Sequence, residues 1–432
     1  MKQSSIHIVT LGCSKNTVDS EHLGALFAPK DYQILHNSDR DADIIIINTC
    51  GFIGDAKEES IDTILAYAQQ RKSGKIKKLI VMGCLSQRYK TYLEEEIHEV
   101  DAFFGVDQLR DVAALIQEKE LVNIPEHYKR NLSTPDHYAY LKISEGCDRK
   151  CSFCAIPLIR GKHISVPEHV LINEARQLAN SGVKELILIA QDLTYYGIDL
   201  TGKRMLVPLI KALASIDGIE WIRLQYAYPA GFPEDLIELI ATHPKVCNYL
   251  DMPLQHINSD LLKSMKRGLD GTHTRKLVGK IRQYAPDLAF RTTFIVGYPG
   301  ETKEMFSELC DFVREMRFER MGVFAYSAEE DTTAFDLIDV VPDEVKQQRV
   351  EQLMSIQQDI ALEINQQKIG SIQKVLIDRK EGEYYIGRTQ YDSPEVDNEV
   401  IISTHQPLEI GKFYNLRITG AEAFDLYAEG IA

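Results

Sequence analysis

The sequence contains no run near the roughly 18 consecutive apolar residues of a membrane span, although 44% of it is hydrophobic. That content is ordinary for a soluble globular chain, so a spanning bundle is excluded and a buried core is not. Positive charge is scarce too. A formal net charge of -15 argues against a chain built mainly to grip nucleic acid by its phosphates, and it suits a basic partner. The opening residues, MKQSSIHIVTLGC, lack the apolar region and cleavage site of a signal peptide and run straight into a strand-like segment. The expected compartment is therefore the reducing cytoplasm, where cysteines serve metals or catalysis more often than disulfides. Internal repeats and low-complexity tracts are absent, and 432 residues predict about two to four domains. The single tryptophan, Trp221, opens a strand-like run and reads as packing.

Against this background, six of the eight cysteines fall into two triads. Cys147, Cys151 and Cys154 are compact, within EGCDRKCSFC. Cys13, Cys50 and Cys84 are dispersed, closing the runs TLGC, INTC and VMGC. Three thiolates are one short of a closed tetrahedral zinc site. They suffice to hold a four-iron cluster with one iron left open. A zinc site completed by His163, or plain packing of cysteines as small buried hydrophobes, is the alternative. Cys247 and Cys310 lack such a setting and read as packing.

IHIVTLG, DIIIINTC and KLIVMGC are β-branched runs without polar alternation, as in strands buried on both faces. Helical stretches lie between them, from Asp19 to Phe27 and from Asp55 to Arg71. This rhythm predicts a small parallel sheet whose functional groups collect beyond the carboxyl ends of the strands, where all three dispersed cysteines lie. NIPEHYKRNLSTPD, Asn123 to Asp136, reads as a linker. Six further strand-like runs, HYAYLKISEGC, KELILIAQD, WIRLQYAYP, VCNYLDMPLQH, AFRTTFIVGYPG and RMGVFAYSAEE, predict a full or partial parallel barrel. Its mouth would carry the compact triad, Gln191, Asp192, Gln225, Gln255, His256 and the GYPGE turn from Gly297. Pro342 to Ile369 reads as one helix. The four short runs after it predict a small antiparallel β-barrel. The fold class is therefore α/β with an all-β C-terminal module, divided as 1–122, 137–365 and 366–432.

The compact triad, on a loop after a strand, resembles that of the radical S-adenosylmethionine superfamily. Across essentially the whole chain, TLGCSKNTVDSE, INTCGFI, VMGCLSQRY, EGCDRKCSFCAIPLIRG and FIVGYPGET resemble the methylthiotransferases. The resemblance implies two [4Fe-4S] clusters, S-adenosyl-L-methionine, and a C-terminal TRAM barrel. The ligands would be Cys147, Cys151 and Cys154 for one cluster and Cys13, Cys50 and Cys84 for the other. It further implies that the first cluster generates an adenosyl radical, which removes a carbon-bound hydrogen, and that the second holds the sulfur that becomes a methylthio group. Phe153 would pack near the adenine. Gln191 and Asp192 would lie near the methionine amino group, although Asp192 also reads as a helix cap. Gly297 would shape the adenosine pocket or merely form a turn, and Gln255 would contact cofactor or substrate.

Two branches of the family differ in substrate, one modifying a tRNA adenosine and the other an aspartate of a ribosomal protein. From residue 367 onward the chain has seven basic against eleven acidic residues, the opposite of an RNA-gripping surface. KISEGCDRKCSFCAIP, DMPLQH, IGRTQYDSPEVD and AFDLYAEG resemble the ribosomal-protein branch, whose target is the β-carbon of a loop aspartate in small-subunit protein number twelve. A basic ribosomal protein is thus the expected partner, with flavodoxin or ferredoxin as electron donor. The tRNA reaction and a non-catalytic iron–sulfur carrier are the alternatives.

Overall fold

The computed structural model describes residues 3–119, 130–403 and 407–430. Half of the expected linker, residues 123–129, and the boundary at residue 122 lie outside the described residues.

Five parallel strands form the N-terminal sheet: Ser4–Thr10, Tyr32–His36, Ile44–Thr49, Lys78–Gly83 and Ala102–Phe103. Their spatial order is second, first, third, fourth, fifth. Ile44–Thr49 is central and buried at every position, which is why it opens on the isoleucine run Ile44–Ile47 rather than an alternation. Ile45 and Ile47 join Leu79 and Val81 in one core. Ile44 and Ile46 join Ile6, Ile8 and Ile80 in another, on the opposite face. Sequence reading missed two strands. Tyr32–His36 is an edge with no fully buried residue, and Ala102–Phe103 is too short to show a period.

The six predicted barrel strands all form. Tyr138–Lys142, Glu185–Ile189 and Trp221–Leu224 make one parallel sheet. Tyr249–Asp251, Ala289–Val296 and Arg320–Ala325 make another, and a bridge from Ile222 to Val246 joins the two. Leu141, Leu186, Leu188, Ile222, Leu224, Phe290 and Phe294 point outward under the helices. The alternate positions face the lumen; Ile187, Ile189, Trp221 and Ala289 among them are apolar, and the rest include Tyr138, Glu185, Arg223, Tyr249, Arg291 and Arg320.

After a helix from Asp343 to Gln366, the strands Ile372–Glu381, Tyr384–Thr389, Glu399–Ser403, Phe413–Ala421 and Asp425–Gly430 close into a barrel. Its pairings are antiparallel except that Glu399–Ser403 runs parallel to Asp425–Gly430. Five strands in a closed ring cannot all alternate in direction, so one exception to the expected antiparallel pattern is unavoidable.

The segment from Arg388 to Asp397 enters the parallel-stranded barrel and meets all six of its strands. Glu395 accepts from Tyr138 and Tyr140 at 3.3 and 3.5 Å. Arg388 binds Glu185 at 2.7 Å, and Arg223 donates to the Gln390 carbonyl at 2.8 Å. Asp397 accepts from Tyr249 at 2.7 Å and from Arg291 at 3.3 Å, while Asp392 accepts from Arg320 at 3.0 Å. The charged lumen is therefore a buried interface in which Glu185, Asp392 and Asp397 meet arginines and Glu395 meets two tyrosine hydroxyls. Among the described residues no helix is long and apolar enough to cross a membrane.

Candidate active site at the two cysteine triads

The first, third and fourth strands of the N-terminal sheet are neighbours, and Cys13, Cys50 and Cys84 lie just beyond their carboxyl ends. This is the crevice beside the point where strand order reverses, the usual ligand position of such sheets. The approach is close. Gly12 has φ +89°, and a Cβ there would stand 2.8 Å from Cys50 Sγ, so only glycine fits. Asn16 ties the loops together, donating to the carbonyls of Leu11 at 2.8 Å and Thr49 at 3.0 Å. The Cys84 thiol lies 3.8 Å from Asn16 Oδ1. Cys13 is exposed, whereas Cys50 and Cys84 are buried. Burial raises the Cys50 thiol and pushes Cys84 up to about 12.

The compact triad follows the first barrel strand. Gly146 precedes it with φ +75°, where a Cβ would meet the Lys162 carbonyl oxygen at 2.0 Å. The Cys147 amide donates to the Gly161 carbonyl at 3.1 Å and that of Cys154 to the Cys151 carbonyl at 3.2 Å. Sulfur acceptors are already engaged: the Arg149 amide donates to Cys147 Sγ at 3.4 Å and Arg267 Nη1 to Cys151 Sγ at 3.3 Å. All three thiols are half-buried. Burial pushes Cys147 up to about 11 and Cys154 up to about 12. Such thiols keep their protons at neutral pH, so a metal must displace those protons to gain thiolate ligands.

Among the described residues no three His, Cys, Asp or Glu side chains gather tightly enough to share one metal ion. A four-iron cluster takes each of its thiolates on a separate iron, whereas one zinc would need all of them on a single ion. His163 does not complete the triad; its Nε2 lies 3.0 Å from Ser165 Oγ and 3.7 Å from Asp199. Around the compact triad several buried polar atoms have no protein partner, including Gln191 Oε1, Gln255 Oε1, Arg149 Nη2 and Arg267 Nε. Orphaned donors and acceptors beside thiols fit a polar ligand with both kinds of group.

One short helix, Ile156–Arg160, joins the triads. Ala155 and Ile159 pack against Cys84. Arg160 reaches Asn16 Oδ1 at 2.6 Å, Asp19 at 3.1 Å and Glu145 at 2.9 Å. Lys142 pairs with the same two carboxylates. Beside them Lys15 is only 7% exposed, with its ammonium 3.1 Å above the Tyr226 ring. Burial lowers it to about 8, and Cys13 partly offsets this.

The remaining predicted residues divide. Phe153 packs with Leu261, Met265, Tyr298 and Tyr326. Gln191 donates to Glu145 at 2.7 Å and keeps its oxygen free. Gln255 has φ +73° and a buried, unpartnered carbonyl. Asp192 is occupied, capping the turn at Thr194 at 2.9 Å and binding Arg149 at 2.9 Å. Gln225 is held by Ser393 at 2.6 Å. His256 is a satisfied core histidine between Glu301 and the Asn258 amide. Gly297 donates to Glu301 within its own turn. Trp221, Cys247 and Cys310 pack in cores, as read. Lys15, Arg149, Arg160 and Arg267 were missed. Only Lys15 carried a signal, being a cation in a helix first turn without acid, where the dipole disfavours it.

Three families match in chain order: residues 5–105 match the Uncharacterized protein family UPF0004, 141–313 the Radical SAM superfamily, and 369–431 the TRAM domain. The ribosomal protein uS12 methylthiotransferase RimO of Christiangramia forsetii is 53% identical over 99% of this chain and 95% of its own length. That of Bacteroides thetaiotaomicron is 52% identical over 99% of both chains. The chain belongs to the RimO methylthiotransferase family. Membership makes it a radical S-adenosylmethionine enzyme. The fold is shared more widely. The methyltransferase TsrM from Kitasatospora setae, solved with cobalamin and a [4Fe-4S] cluster, superposes with TM-score 0.55 at 14% identity, covering 88% of this chain and 82% of that one. With its tryptophan substrate and a SAM analogue bound, the TM-score is 0.57 at 13% identity, over 88% and 79%.

Proposed function

We propose that this methylthiotransferase attaches a methylthio group to the β-carbon of a loop aspartate in ribosomal protein uS12, acting in the cytoplasm and reduced by a flavodoxin or ferredoxin. Its three units are 1–122, 137–365 and 366–432. Cys147, Cys151 and Cys154 would hold one [4Fe-4S] cluster beside S-adenosylmethionine, and Cys13, Cys50 and Cys84 a second. When bound, these groups supply the electron that breaks the sulfonium bond, the hydrogen abstraction that follows, and the sulfur that is transferred.

The chain's own residues bind, orient and exclude. Phe153 offers an apolar wall, while the free oxygens of Gln191 and Gln255 face the mouth as acceptors. Arg267 and the Arg149 amide donate to the sulfurs of the compact triad. Segment Arg388–Asp397 fills the lumen and keeps water from entering there. The observation that carries the proposal is the joint between the triads: Cys84 packs against Ala155 and Ile159, just after Cys154, which supports a reading in which the two triads work on one substrate.

The test offers anaerobically reconstituted enzyme, reductant and S-adenosylmethionine either the ribosomal protein or tRNA, with mass spectrometry of both. A methylthio mass gain on the protein supports the proposal. A gain on tRNA alone overturns the substrate, and absence of 5′-deoxyadenosine leaves the carrier reading instead.

A further inference from the structure

The mouth between the triads is crowded with charge, and nearly all of it is neutralised locally. Lys142 and Arg160 share Asp19 and Glu145. Arg291 pairs with Asp251 at 3.0 Å and Arg149 with Asp192 at 2.9 Å. Arg267 leans on a thiol of the compact triad. Lys15 is the exception. Among the described residues no carboxylate lies within ion-pair distance of its ammonium, and its contact is the face of Tyr226.

That placement is costly in two independent ways. An ammonium 7% exposed has lost most of its water without gaining an anion in contact, and Cys13, Asp251 and Glu145 offset that only from a distance. It also sits in the first turn of the helix Ser14–Ala25, whose dipole repels cations. Its platform is strained as well. Tyr226 has φ +70°, a left-handed conformation unusual for a bulky residue and typical of functional sites. Two bonds hold it there: its amide donates to Asp251 at 3.1 Å, and its carbonyl accepts from the Leu193 amide at 3.1 Å. The ring face then fixes the ammonium by a cation–π contact.

We infer that Lys15 is the residue that recognises the carboxylate of the target aspartate, completing its missing ion pair only when substrate enters. This rests on the proposed ribosomal-protein reaction. The geometry suits it: Lys15 stands two residues from Cys13, on the side of the dispersed triad that faces the barrel mouth through Tyr226. A carboxylate bound there would lie beside the loop that carries Cys13 and against the barrel residue Tyr226. The same cation gives no comparable reward to a neutral adenine ring, so one residue both orients the substrate and selects its class.

The test measures anaerobic binding of the ribosomal protein, and of its variant with asparagine at the target aspartate, to the reconstituted holoenzyme. Wild type should prefer the aspartate form by about tenfold or more, the yield of a desolvated charge pair. Lys15→Met should bind both forms alike, and Lys15→Arg should restore most of the preference. Lys15→Gln gives the same reading should the methionine variant fold poorly. Iron content and the midpoint potentials of both clusters should stay at wild-type values in all variants. Retained discrimination in Lys15→Met overturns the inference while leaving the reaction intact. A shifted potential of the dispersed-triad cluster, with discrimination unchanged, overturns it in favour of a counter-ion to that cluster. Binding and modification of tRNA alone by wild type overturns both readings.

Discussion

Cys147 and Cys50 are equally unremarkable as single residues, and their places on different loops assign them different failures. Cys147 opens the triad beside the orphaned acceptors of the barrel mouth, so Cys147→Ala should abolish reductive cleavage of S-adenosylmethionine, read as loss of 5′-deoxyadenosine by chromatography. Cys50 belongs to the crevice of the N-terminal sheet. Cys50→Ala should retain that cleavage and lose the methylthio product, read by mass spectrometry of the ribosomal protein. Gly12 offers a finer test. The Cβ of Gly12→Ala would fall 2.8 Å from Cys50 Sγ on a backbone at φ +89°. Iron bound per chain should therefore fall by about half, while the compact triad keeps its cluster signal.

The element with the largest leverage is Ile156–Arg160. Its apolar side packs on Cys84 and its last residue enters the ion network of Asp19, Glu145 and Lys142. Arg160→Met would leave the buried Asp19 and the half-buried Glu145 sharing one lysine. Breaking a buried pair costs about 3–5 kcal/mol, so the midpoint of anaerobic urea unfolding should drop, and Arg160→Lys should recover part of it. Element by element, the sequence was legible where burial was uniform or periodic. The isoleucine run of Ile44–Ile47 announced a central strand, and six barrel strands stood out as strand-like runs with helical stretches between them. The edge Tyr32–His36 was silent because half-burial leaves no pattern.

At the scale of the molecule, the C-terminal barrel is part of the catalytic barrel. Burial by itself would raise the Glu185 carboxyl, but Arg223 and Arg388 more than reverse this and hold it below its ordinary value. The same balance, with Arg388 and His137 as partners, lowers Asp378. Carboxyls depressed in the folded state stabilise it above their unfolded pKa and lose that contribution as pH falls through the folded value. The interface should hold at neutral pH and loosen below about pH 4, the ordinary carboxylate range. Trp221 reports this directly, because its ring meets Phe413 of the C-terminal barrel at 4.7 Å. Its emission should shift to the red as pH falls through that window. In Glu185→Gln, which leaves Arg223 and Arg388 without their shared anion, the shift should occur at higher pH. Removal of residues after Gln366 should give an insoluble catalytic barrel, since Arg320 would lose Asp392, Arg223 would lose the carbonyls of Thr389 and Gln390, and the lumen would lose its cover.

The sequence by itself determined which residues are chemically capable: six cysteines at strand ends, the βα order, an acidic C-terminal module, and the family motifs. Those are local properties, written in residue type and spacing. Only the tertiary structure decided which capable groups remain available. Asp192, Gln225 and His256 look like site residues in sequence but are consumed by Arg149, Ser393 and Glu301. Lys15 looks like a surface lysine but is buried without a carboxylate partner between the triads. Availability depends on what stands opposite a side chain once distant segments meet, and no spacing along the chain encodes that distance.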